Sequence, residues 1–107
     1  MNLFQDIPET LPEELVEVLA EGGNVRIERI VSRGHQTPEG EWYDQDWDEW
    51  VVLLSGQAKL EIEGRAGLLE MKAGDHIVLP AHQRHRVAWT APDQDSVWLA
   101  VHFAGND

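Results

Sequence analysis

The alternation of apolar and polar positions changes character at Asn24. Before it, Leu11, Leu15, Val18 and Leu19 recur at helical spacing. Thr10-Leu11-Pro12-Glu13 has the form of a capping box, in which the hydroxyl takes one orphan N–H and the glutamate returns to another. Pro12 fits a first helical turn, whose N–H groups lack intrahelical partners. Glu13, Glu14 and Glu17 suit the positive end of a helix dipole, and Gly22-Gly23 supplies a stop. These residues predict one short N-terminal α-helix, a lead-in over residues 1–23 packed on the rest of the chain.

Beyond Asn24 the period falls to two. Short β-branched and aromatic runs over residues 25–32, 50–54, 58–62, 67–71, 76–79, 84–90 and 96–103 read as strands. Ser55-Gly56, Glu63-Gly64 and Ala73-Gly74-Asp75 mark turns between them. Many short strands at near-regular spacing imply an all-β antiparallel sandwich or barrel, here one domain over residues 24–107. Val51 to Leu54 and Val97 to Val101 are apolar on both faces, so a second layer must cover their outer side. The N-terminal segment is one candidate cover and a second copy of the chain is the other; a homodimer is the expectation.

Composition narrows the partners. Of 107 residues, 42% are apolar, and 20 acids against 8 bases give a net charge of −12. That charge opposes binding to nucleic acid and to anionic membrane surfaces. With no cysteine, disulfides and thiolate metal sites are excluded. The chain starts without the basic and apolar run of a signal peptide and has no apolar stretch near the roughly 20 residues of a membrane helix. A cytoplasmic protein is expected.

Two segments carry candidate chemistry. Glu49 is followed after six residues by Gly56, and Gly74-Asp75-His76-Ile77-Val78-Leu79-Pro80-Ala81-His82-Gln83-Arg84-His85 places a glycine, a proline and a histidine at fixed spacing. Together they resemble the cupin superfamily, with Glu49, Gly56, Gly74, Pro80 and His85 at the matching positions. The resemblance spans roughly residues 25–103 and implies a jelly-roll barrel, a double-stranded β-helix. It also implies Glu49 and His85 as ligands of a divalent transition metal, whose mixed oxygen and nitrogen donors would suit Zn²⁺, Ni²⁺, Mn²⁺ or Fe²⁺. With metal bound, an oxidoreductase or isomerase role is open, and the resemblance implies no particular one.

The chain departs from the family ahead of Glu49, where metal-binding cupins carry His-x-His. Trp42 and Asp44, or Tyr43 and Gln45, stand there instead, and His82 replaces a glycine. Asp44, Gln45, His82 and His102 are the remaining candidate donors. Period two from His85 predicts that Val87 and Trp89 share its inward face. Trp42, Tyr43, Trp47 and Trp89 are candidates to line a pocket for a small molecule, because flat rings supply apolar area and polar groups orient the guest. Two readings follow. One is a small-molecule-binding barrel, as a metal-dependent enzyme, with its site at the barrel mouth around Glu49 and His85. The alternative is a metal-free ligand-binding or regulatory module without catalysis.

Overall fold

A computed structural model describes residues 2–104. The chain forms eight strands: β1 (Leu15–Glu21), β2 (Val25–Ser32), β3 (Asp48–Ser55), β4 (Gln57–Ile62), β5 (Leu69–Lys72), β6 (His76–Leu79), β7 (His85–Thr90) and β8 (Ser96–Phe103). They build two antiparallel sheets, one ordered β1-β2-β8-β3-β6 and the other β5-β4-β7. The barrel domain expected over residues 24–107 is thus described as far as Ala104, and Met1 and residues 105–107 lie outside the described residues. Among the described residues, no helix is long and apolar enough to cross a membrane.

The expected N-terminal helix is a strand. Leu15–Glu21 pairs with β2 through a hairpin closed at Gly22, whose N–H donates to the Val25 carbonyl (2.8 Å). Val16 and Val18 are β-branched and stiff at χ1, which suits a strand better than a helix. The ladder also brings Glu17 opposite Arg29. Arg29 is buried on the outer face of the sheet and donates to Glu17 (2.6 Å) and to the carbonyls of Leu3 (3.1 Å) and Gln5 (2.6 Å). Arg33 holds the carbonyls of Glu9 (2.7 Å) and Pro8 (3.2 Å) and pairs with Asp95. Two arginines therefore strap the extended leader to the sheet, and these long-range contacts override the local capping signal.

The core lies between the sheets. Val51, Leu53, Ala58, Leu60, Met71 and Trp98 are buried there, contributed by β3, β4, β5 and β8. Gly56 makes the β3–β4 turn with φ +92°. A methyl group added there would sit 2.8 Å from the Asp95 carbonyl oxygen and closer still to Ser96. Only glycine combines that dihedral with that approach. The β5–β6 turn closes when the Asp75 side chain accepts the Lys72 N–H (2.9 Å).

One register shift matters for the site. Along the β4–β7 pair, Lys59 faces Trp89 but Leu60 faces Val87, so Ala88 is an extra residue. This bulge reverses the side-chain parity beyond it. Thr90 turns inward and is buried, while Trp89 turns outward beneath the Lys59 ammonium (5.3 Å to the ring centre). The shared inward face expected for His85, Val87 and Trp89 therefore stops at Val87.

Candidate functional site

A row of polar residues crosses the inner face of the five-stranded sheet. Arg26 on β2 faces His102 on β8, His102 faces Glu49 on β3, and Glu49 faces Leu79 on β6. Two residues further along β2, Glu28 lies on the same face. From the opposite sheet, β7 contributes His85 and Val87 and β4 contributes Leu60. Between the sheets lies a half-open cavity of about 200 Å³, floored by Ile30, Val51, Leu60, Leu79, Val87 and Trp98. Polar groups gather at one end and apolar side chains form the floor.

The loop between β2 and β3 completes the polar end by running along β7. Thr37 N–H donates to the Val87 carbonyl (2.9 Å), and Tyr43 and His85 exchange both backbone hydrogen bonds (2.8 and 3.1 Å). This pairing sets the Tyr43 ring against the His85 imidazole, with centroids 5.5 Å apart and planes 28° from parallel. The same loop delivers Gln45, whose amide donates to Glu49 Oε1 (2.9 Å).

Partners fix the tautomers. His85 Nδ1 lies 2.9 Å from the Gln83 carbonyl, which only accepts, so Nδ1 carries the proton. In the neutral ring this leaves the Nε2 lone pair facing Glu49 Oε1 at 3.8 Å, beyond hydrogen-bond range. His102 Nε2 lies 2.9 Å from Glu28 Oε1 and by the same logic carries its proton. In the neutral ring its Nδ1 is then a buried acceptor with no partner among the described residues. Arg26 lies beside Glu28 (3.2 Å), but its buried Nε makes no aligned hydrogen bond. Burial holds the Tyr43 phenol above its ordinary pKa. The negative charge of Glu14 adds to this, a hydrogen bond with Thr37 opposes it, and Glu49 and Glu41 add further.

Tyr43, Gln45, Glu49, His85 and His102, all anticipated from sequence, meet in this one cavity. The other candidates stand apart. Asp44 and His82 pair with each other (2.9 Å) in an exposed position, with His82 in a left-handed conformation at the proline turn. Trp42 lies against the Arg84 guanidinium (5.3 Å) and Trp47 against Arg26 (6.0 Å). Trp89 lines a separate groove with Lys59 and Glu70. Sequence reasoning missed Glu14, Arg26, Glu28 and Trp98. The available signal was Arg26-Ile27-Glu28, two charges at period two in a strand otherwise rich in β-branched residues.

Among the described residues, no three His, Asp or Glu side chains converge on a point where a metal ion would sit. Glu49 and His85 are two donors, and Gln45 already turns its NH₂ toward Glu49. His102 and Asp44, each engaged elsewhere, do not complete the set. The usual centre takes about three protein ligands, and this donor set does not fit one.

Residues 29–102 match the cupin domain. No curated protein matches the chain significantly. Among solved structures, a proposed mannose-6-phosphate isomerase from Ralstonia eutropha JMP134 is 47% identical, with 98% of this chain and 97% of that one covered and a TM-score of 0.95. A cupin superfamily protein from Desulfitobacterium hafniense DCB-2 is 17% identical, with 92% and 84% covered and a TM-score of 0.74. An RmlC-like cupin with a double-stranded β-helix fold from Methanocaldococcus jannaschii is 18% identical, with 92% and 87% covered and a TM-score of 0.71.

Proposed function

The chain belongs to the cupin family, and from that membership we propose that it binds a small organic molecule in the cavity centred on Glu49 and His85. One observation carries the reading. Glu49 Oε1 and His85 Nε2 face each other at 3.8 Å, too far apart to satisfy one another, at the polar end of an apolar cavity. With the His85 proton on Nδ1, Nε2 and the carboxylate are both acceptors, so a donor on a guest can bridge them while Gln45 holds Glu49 in place. The cavity's size suits a one-ring molecule, since an apolar cavity of roughly 150 Å³ accepts benzene.

The Ralstonia protein favours a second reading, isomerisation. Moving a proton between adjacent carbons needs a base and an acid within reach of one substrate. Glu49 takes the proton from the carbon beside the carbonyl and returns it to the former carbonyl carbon, while the Tyr43 phenol protonates the carbonyl oxygen. His85 Nε2 takes the proton of the neighbouring hydroxyl, and the imidazolium then returns a proton to the phenolate stacked against it. No step requires a metal.

Filling the cavity tests the site. Val87→Phe should abolish the tryptophan fluorescence response to one-ring ligands while leaving the far-UV β spectrum unchanged. A response that survives the filled cavity would place binding elsewhere.

We also propose a homodimer through the outer face of the five-stranded sheet. Ile27, Trp50, Leu99 and Val101 are only half-buried there and Val78 is exposed, and the strapped leader reaches only the β1–β2 side. Sedimentation equilibrium should return twice the chain mass, and a monomer at micromolar concentration would reject the interface.

A further inference from the structure

The polar end of the cavity is built almost entirely from acceptors. Three carboxylates line it, Glu14, Glu28 and Glu49, against one guanidinium, Arg26. That guanidinium is already neutralised by Glu28 at 3.2 Å. In their neutral forms the two imidazoles present lone pairs, His85 through Nε2 and His102 through a buried Nδ1 that has no partner among the described residues. The donors are fewer: Gln45 turns its amide to Glu49, which leaves the Tyr43 phenol and the Arg26 guanidinium, whose buried Nε makes no aligned hydrogen bond among the described residues.

A guest must supply what the wall lacks, namely hydrogen-bond donors and positive charge. Buried acceptors left unpaired cost more than they return, so the match is energetic as well as geometric. A phosphoryl group offers only acceptors and about two negative charges. It would meet two carboxylates, Glu14 and Glu49, that no lysine or arginine among the described residues neutralises, inside a chain of net charge −12. Among the described residues the cavity lining holds no lysine and no arginine besides Arg26 to cradle it. An ammonium group brings three donors and one positive charge to the same place, and the floor of Val51, Leu60 and Trp98 receives an apolar body behind it.

Resting on the ligand-binding reading above, we infer that the cavity takes a small amine with a compact apolar body, its ammonium group directed to Glu49, and that it rejects phosphorylated sugars. The substrate class thereby differs from that named for the 47% identical Ralstonia protein.

Calorimetry on the full chain with four probes tests this. Benzylamine should bind about tenfold or more tighter than benzyl alcohol, the ratio produced by ~1.4 kcal/mol. Added salt should shrink that ratio. Mannose 6-phosphate should bind no more tightly than mannose. Glu49→Gln should erase the preference for the amine while leaving benzyl alcohol affinity in place. Glu14→Gln serves as a second variant and should reduce the preference in part. Equal affinity for amine and alcohol, or a gain from the phosphate, overturns the amine inference and leaves the cavity as a binding site. If neither aromatic probe binds the wild-type protein, the cavity reading falls as well.

Discussion

Arg26 and Arg29 stand three residues apart on β2 and point to opposite faces of the sheet. Arg29, on the outer face, is buried and saturated: Glu17 takes its Nε, and backbone carbonyls of the leader take its terminal nitrogens. Arg26, on the inner face at the cavity, has one carboxylate beside it and a buried Nε without a hydrogen bond. The difference extends to their neighbours. The charges that build the fold have their partners, whereas those around the cavity, Glu49, His85 and His102, keep bonding capacity in reserve. Unsatisfied buried groups lower stability, and they persist where a ligand completes them.

The largest expected effect separates the two arginines. Arg29→Met leaves Glu17 and the Leu3, Gln5 and Asp6 carbonyls without their donor. Arg29 itself is buried while Glu17 is partly exposed, so the lost hydrogen bonds should together cost about 1–3 kcal/mol. Arg26→Met should cost under about 1 kcal/mol, because its ion pair is partly exposed. Urea unfolding of both variants measures the gap. Comparable losses would erase the distinction between a structural and a binding arginine.

Glu49→Gln gives a smaller effect of opposite sign. The glutamine still accepts from Gln45, and the substitution removes a buried charge that no lysine or arginine among the described residues compensates. Stability should rise by about 0.5–2 kcal/mol, as it does when a strained functional residue is relieved. A loss of similar size in urea unfolding would make Glu49 and His85 a structural pair.

How far the sequence reveals this arrangement depends on which interaction sets each feature. Glu49 and His85 were readable from the resemblance to the cupin motifs, and local rules account for the residues between them: turns needing positive φ at Gly56 and Gly74, and a proline ending a strand at Pro80. The strands from Val25 onward follow from the same rules, with boundaries shifted by one or two residues. The lead-in was misread because Thr10 to Glu13 has genuine capping chemistry, while the Glu17–Arg29 contact that decides the issue spans 12 positions. Trp89 was misplaced because a single extra residue at Ala88 reverses parity, and no glycine announces the bulge. His102 sits in a strand apolar on both faces, so its side of the sheet became clear only from its place between Arg26 and Glu49. Glu14, Arg26 and Glu28 went unrecognised because charges lie on both faces of β2, where Arg29 disguises the inward pair.

The smallest effect lies with a saturated charge on the exposed side of the molecule. At the β5–β6 turn the Asp75 carboxylate accepts the Lys72 N–H (2.9 Å). That backbone bond is the main cause of a pKa below the usual value, and the nearby Lys72 ammonium adds to it. A depressed carboxylate contributes stability that is present above its unfolded pKa and is lost as pH falls through its folded pKa. Asp75→Asn should therefore lower the melting temperature slightly at neutral pH. The difference from wild type should fade as the solution is acidified below the ordinary carboxylate range. The loss should also be independent of any cavity ligand, because the turn lies outside the cavity lining. A deficit that persists unchanged into strong acid would assign the stabilisation to the shape of the turn. A deficit that grew when benzylamine was added would couple the turn to the cavity and blur the separation that Arg26 and Arg29 define.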